Sequence, residues 1–133
     1  VAEGEIVMAT PTETDIRLII FGRPITKKNS RIIRKGGGLL QSEAYRQYEE
    51  SCLWQLKQYR GRTLTGAVWV KALYWMPDRR SWPDMLGLME STADILEKGG
   101  IIANDKFIES WDGTRIMGVD PENPRVEIEV RRI

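Results

Sequence analysis

The stretch Met76–Asp112, MPDRRSWPDMLGLMESTADILEKGGIIANDKFIESWD, decides the fold. Pro83 is a favoured first helical residue and Gly99-Gly100 a stop, so the spacing predicts a helix from about residue 83 to 98. Met85, Leu88, Met89, Thr92 and Leu96 form its expected buried face. Asp84 falls in the first turn, where the helix dipole favours negative charge, and the plain reading is a dipole partner. Asp105 follows the Gly-Gly break. Carboxylates fixed at element ends in this way also suit Mg²⁺, a hard cation that takes oxygen ligands.

On either side of this stretch the pattern changes from helical to extended. Residues 15–22 (DIRLIIFG) and 66–76 (GAVWVKALYWM) are rich in β-branched and aromatic residues and end in turn formers, so both read as strands. Lys71 is the only charge on the second, which predicts that both faces of that strand are covered, with Lys71 near an end or a cleft. Residues 107–112 and 125–133 read as further strands, the last with Val126, Ile128 and Val130 inward. Between the first two strands, Ser42 caps an amphipathic helix over 42–60 whose stripe is Tyr45, Tyr48, Cys52, Leu56 and Tyr59. Periodicity alone explains that aromatic stripe as core packing. Strands mixed with two main helices and no regular βαβ alternation predict an α+β fold with a mixed sheet. Residues 1–12 lack a periodic signal and are expected to be an extended or disordered lead-in to one domain over 13–133.

Composition removes more functions than it adds. The chain has 133 residues, 41% hydrophobic and 29% charged, within the range of a globular domain. No apolar run approaches the roughly 18 residues of a membrane span, which predicts a soluble, cytoplasmic protein. There is no histidine, which excludes Ser-His triads, His-metal nucleases and imidazole zinc sites. Cys52 is the only cysteine, so no intramolecular disulfide can form. The glycines Gly36–Gly38 are followed by Leu-Leu rather than by Lys-Ser or Lys-Thr, so no P-loop and no nucleotide cofactor are expected.

A net charge of +1 hides polarity along the chain. Residues 16–42 carry seven basic residues, Arg17, Arg23, Lys27, Lys28, Arg31, Arg34 and Lys35, and no acid. Such a run serves solubility or grips a polyanion. The glycine hinge at 36–38 makes Arg31, Arg34 and Lys35 a candidate flexible arm for phosphate contacts, which position nucleic acid without reading its sequence.

These residues resemble the RusA-type Holliday-junction endodeoxyribonucleases. The resemblance lies in Met76-Pro77-Asp78-Arg79-Arg80, Trp82-Pro83-Asp84-Met85, Asp94-Ile95-Leu96, Gly99-Gly100-Ile101-Ile102 and Asn104-Asp105, with Lys28-Asn29-Ser30-Arg31 and Ser42-Glu43-Ala44-Tyr45-Arg46 upstream. It spans roughly residues 17 to 130. It implies a RusA-like α+β domain, a bacterial or phage-encoded homodimer, and resolution of four-way DNA junctions with Mg²⁺ or Mn²⁺ in recombination and repair. Carried over, Asp84 matches the second aspartate of the family's Asp-x-Asp and Asp105 the second member of its acidic pair, both metal-binding. Trp82 then stands for the first aspartate, Met85 for the next asparagine, Asn104 for the first member of the pair, and Leu88 for a lysine important for cleavage.

Neighbours are the candidates for the missing ligand. Asp94 lies about 15 Å along the helix from Asp84, too far to share an ion, and Glu90 about 9 Å along and some 240° around, so both are set aside. Asp78 on the preceding turn, and Glu109 or Asp112 after Asp105, stay open, with Asp78 and Asp112 ranked equal. Asn104 offers a neutral oxygen. The implied mechanism is metal-assisted phosphodiester hydrolysis, with Lys106 beside Asp105 offsetting transition-state charge. Lys27, Lys28, Arg31, Arg34, Lys35, Arg79 and Arg80 are the expected DNA-backbone contacts. The rival reading is a junction-binding protein on the same fold that cleaves weakly or not at all.

Overall fold

The computed structural model describes residues 16–27, 31–33, 39–59, 61–80 and 82–133, with only the backbone described at 31–33 and 39–41. In chain order the elements are β1 (Ile16–Phe21), β2 (Arg31–Ile33), β3 (Leu39–Gln41), α1 (Glu43–Leu56), β4 (Val68–Met76), α2 (Met85–Lys98), β5 (Ile108–Ser110), β6 (Arg115–Val119) and β7 (Arg125–Arg132). Short 3-10 turns follow α1 at Lys57–Tyr59 and precede β5 at Asp105–Phe107.

The main sheet is mixed and runs β1-β7-β4-β5, with β6 also paired to β4. Strand β7 is antiparallel to β1 and β4, while β5 and β6 lie parallel to β4, at Val68–Trp69 and Leu73–Met76 respectively. Alternation sets the core, because side chains two apart share a face. Three rows cross the sheet in register: Ile16–Val130–Val70, Leu18–Ile128–Ala72 and Ile20–Val126–Tyr74, all buried. This is the expected α+β architecture of one mixed sheet and two main helices.

Both helices pack on that face. Ser42 caps α1, its hydroxyl accepting from Tyr45 N at 3.2 Å, and Tyr45, Cys52 and Leu56 are buried as their spacing requires. Helix α2 is turned somewhat from the expected face. Its buried residues are Gly87, Leu88, Ser91, Thr92, Ile95 and Leu96, and Met85 and Met89 are only half-buried. The anchor is Tyr74 on β4. Its buried hydroxyl donates to Leu88 O at 3.1 Å and meets Thr92 Oγ1 at 2.6 Å, fixing which side of α2 faces the sheet.

One expectation is refined. The far face of β4 is only partly covered: Trp69, Lys71, Leu73 and Trp75 are half-buried there, and Lys71 lines a cleft, as expected, with Arg17, Phe21, Tyr59 and Glu129. Lys71 sits in mid-strand because Glu129 on neighbouring β7 supplies a carboxylate 3.8 Å from its ammonium. On either side of the expected glycine hinge, Arg31–Ile33 and Leu39–Gln41 pair antiparallel. The residues between, 34–38, lie outside the described ones, as do 1–15, 28–30, 60 and 81.

Candidate active site

The turn Pro77–Asp84 delivers the chain from the end of β4 to α2. Asp78 Oδ1 accepts from Arg80 N at 2.8 Å, and the Trp82 indole N–H donates to Asp78 O. Trp82 packs against the hydrophobic core, and the Arg79 guanidinium lies 5.8 Å from its ring centroid. Asp78 is therefore committed to its own turn, with Arg80 as an ion partner at 3.6 Å.

Asp84 is the N-cap residue of α2 and is exposed. Its side chain makes no capping hydrogen bond and instead leans over the first turn. A Cβ on Gly87 would lie 2.7 Å from Asp84 Oδ1 and 3.1 Å from Thr26 Cγ2. Only glycine at 87 lets the carboxylate and the buried Thr26 close over the helix together.

At the other end of α2 a tight sequence of backbone bonds places Asp105. Gly99 N donates to Ile95 O at 2.8 Å and Ile101 N to Leu96 O at 2.9 Å, with Gly100 at φ 78°. Leu64 then clamps the exit: its N–H donates to Ile101 O and its carbonyl accepts from Ala103 N. Asn104 caps the following 3-10 turn, its Oδ1 accepting from Lys106 N at 2.9 Å, so that oxygen is already engaged. Asp105 N donates to Glu97 Oε1 at 3.0 Å, which ties the turn back to α2 and leaves the Asp105 carboxylate exposed.

Asp105 opens onto a shallow depression of about 240 Å³ whose walls are Leu86, Met89, Glu90 and Ala93 of α2 with Ile108 and Trp111. Glu90, which helix geometry separates from Asp84, is thus on the same depression as Asp105. Neither Asp84, Asp78 nor Asp112 lines it. Asp112 sits on the turn after β5, where its carbonyl accepts from the Trp69 indole at 3.0 Å. Lys106 is exposed beside Asp105. Leu88 is 1% exposed, a core position that no working lysine could occupy.

Among the described residues no group of three or more Asp, Glu or Cys side chains is gathered to hold a metal ion. The donor set that is present, two carboxylates on an open depression, suits a hard cation that keeps most of its waters and takes only one or two protein carboxylates. It does not suit a closed cage.

Of the expected DNA contacts, Arg79 and Arg80 are exposed on the turn before α2. Arg31 is described only by its backbone in β2, and Lys28, Arg34 and Lys35 fall outside the described residues. Lys27 differs from expectation: it is half-buried and its ammonium lies 3.5 Å from Asp94. Sequence reasoning set Glu90 aside by its angle from Asp84 and overlooked this Lys27–Asp94 pair. The signal for Glu90 was the run of small residues Gly87, Ser91 and Thr92, which marks the packed side of α2 and leaves Leu86, Glu90 and Ala93 outside.

The sequence pattern of the family described as endodeoxyribonuclease RusA matches residues 22–131. The crossover junction endodeoxyribonuclease RusA of Aquifex aeolicus (strain VF5) is 30% identical over 95 residues, covering 71% of this chain and 75% of that protein. The matched region contains both ends of α2, the depression and the whole of β4.

Proposed function

Because the chain belongs to the endodeoxyribonuclease RusA family, whose members are hydrolases acting on DNA, we propose that it is a divalent-metal-dependent endonuclease that resolves four-way DNA junctions. The observation that carries this reading is the exposed carboxylate of Asp105 on a depression shared with Glu90, on the helix that Asp84 heads.

Asp105 and Glu90, which share the depression, are the carboxylates that would hold Mg²⁺ or Mn²⁺, with Asp84 at the head of α2 as the family's metal-binding match. The burial of Leu88 supports a family register two residues later than the one counted from Met76-Pro77. In that register Asp84 stands for the first aspartate of Asp-x-Asp, Leu86 for the second and Glu90 for the lysine. Trp82 is then a packing residue of the turn rather than a lost ligand, and the true departures are Leu86 and Glu90. Glu90 replaces a cation by a carboxylate, which restores the number of acids on this helix.

The bound metal would supply an activated water and charge stabilisation on the phosphate. The chain's own residues bind and orient. Asp105 faces the depression from a turn fixed by Asn104, Glu97 and Leu64. Lys106, next to it and exposed, offsets charge developing on the phosphate. Arg79 and Arg80 approach the backbone of the DNA from the turn before α2. Two symmetric cuts require two equivalent sites, so the working form is a homodimer, active in recombination and repair.

The deciding experiment is incubation of a labelled four-way junction and of linear duplex of the same sequence with the protein, with Mg²⁺, with Mn²⁺ and with chelator. Paired nicks on the junction alone, lost with chelator, are expected. Binding of the junction without nicks under every metal condition would instead support a protein repurposed for binding, the reading that the Leu86 and Glu90 departures favour.

A further inference from the structure

The loop that follows β1 is fastened to the middle of α2 at three points. Thr26, 1% exposed, packs over Gly87, the same spot on which Asp84 Oδ1 rests. One residue on, Lys27 N donates to Ser91 Oγ at 3.1 Å. The Lys27 ammonium then reaches Asp94 Oδ2 at 3.5 Å, with both side chains about three-quarters buried (24% and 25% exposed). Residues 87, 91 and 94 climb one side of the helix, so the loop lies along it rather than touching it once.

Asp94 is shared. Lys98 approaches the same oxygen at 3.3 Å and also Glu49 of α1 at 2.8 Å. Lys98 would therefore keep a partner if Asp94 lost its charge, whereas no second ion pair holds Lys27 among the described residues. The phenol of Tyr45, buried at the same junction, is held well above its ordinary pKa by burial and then by the charges of Glu49 and Asp94, which places both carboxylates close to it.

We propose that Asp94 is a positioning residue: acting through Lys27, it fixes the Thr26–Lys27 loop along α2, and so holds Thr26 on Gly87 against the resting place of the Asp84 carboxylate. This rests on the nuclease reading above. Lys27 is on this view a tether whose charge is already neutralised, not a phosphate contact. The distinction is measurable, because each lysine or arginine that neutralises a phosphate steepens the salt dependence of DNA binding by roughly one unit of slope.

The test compares wild type with Asp94→Asn, Lys27→Gln, the double variant and Asp94→Glu. Three readouts are used: exchange of the Lys27 amide hydrogen, the salt slope of junction binding, and single-turnover cleavage. Lys27→Gln is expected to leave the salt slope unchanged while lowering cleavage roughly tenfold, the scale of a small misplacement. Asp94→Asn should lower cleavage as much, speed exchange at Lys27 and steepen the slope through the released ammonium. The double variant should be no worse than either single one, and Asp94→Glu should restore part of the cleavage. A slope that falls by about one unit in Lys27→Gln would make Lys27 a phosphate contact and overturn the proposal. Unchanged exchange in Asp94→Asn would overturn it equally. A wild-type protein that neither binds nor cuts junctions would sink the nuclease reading, while the exchange experiment would still decide whether Asp94 holds the loop.

Discussion

At the scale of single residues, the site is governed by which side of α2 each side chain takes. Leu88, at 1% exposure, and Glu90, on the depression with Asp105, are two positions apart and have opposite fates. The sequence displays both Asp84 and Asp105 plainly, because Pro83 and Gly99-Gly100 mark the ends of the helix that separates them. It displays Glu90 only faintly, through the small residues Gly87, Ser91 and Thr92 of the packed side, because the helical rotation is fixed by a remote contact, the Tyr74 hydroxyl against Leu88 O and Thr92. No local pattern encodes that bond. Glu90→Gln tests the assignment: it should raise the Mg²⁺ concentration needed for half-maximal cleavage by about tenfold, with junction affinity in chelator unchanged. A metal titration that superimposes on wild type would remove Glu90 from the site.

At the scale of elements, α2 joins the chemistry to the grip. Its first turn carries Asp84 over Gly87, its middle holds Thr26 and Lys27, and its last turn is tied to Asp105 through Glu97. Gly87→Ala should separate function from stability. Alanine favours a helix over glycine by about 1 kcal/mol, while the new methyl must displace the Asp84 carboxylate and press on Thr26. Unfolding free energy is expected within about 1 kcal/mol of wild type, with cleavage down roughly tenfold. Intact cleavage would show that the carboxylate's resting place is irrelevant. The strands were legible where alternation is strict, as in β1, β4 and β7. Strand β6 was not, because its residues Arg115–Val119 are mostly half-buried or exposed and it joins the sheet only by parallel pairing to β4. The far face of β4 was legible only in part for a related reason: Lys71 lines a cleft as expected, but it is neutralised by Glu129, a partner some sixty residues away in sequence. Burial works to raise the Glu129 carboxyl, but hydrogen bonding from Arg131 and the charges of Arg131, Arg17 and Lys71 outweigh it and hold it below its ordinary 4.5. Its contribution to stability is then complete above that value and is lost as pH falls through the lower folded value. Urea unfolding from pH 6 down to about 3 should show Glu129→Gln with a flatter loss of stability than wild type. Parallel curves would mean that the cluster adds nothing.

At the scale of the whole molecule, one mixed sheet backs two helices on a single face, and the candidate chemistry lies along one of those helices, from Asp84 at its head to the depression that Glu90 shares with Asp105. The architecture follows from alternation and capping. The site follows from how α2 is rotated and from which loops are fastened to it, and for that reason the fold was more legible than the site. Membership in the RusA family and the placement of Asp105 lead to one central claim, that junction cleavage depends on the Asp105 carboxylate at the exit of α2. The measurement that tests it most directly is single-turnover cleavage of a four-way junction by Asp105→Asn against wild type, with junction affinity measured in parallel. At least a hundredfold loss of cleavage is expected, about 2.7 kcal/mol or more of transition-state stabilisation, with affinity within twofold of wild type. Cleavage by Asp105→Asn at the wild-type rate would contradict it.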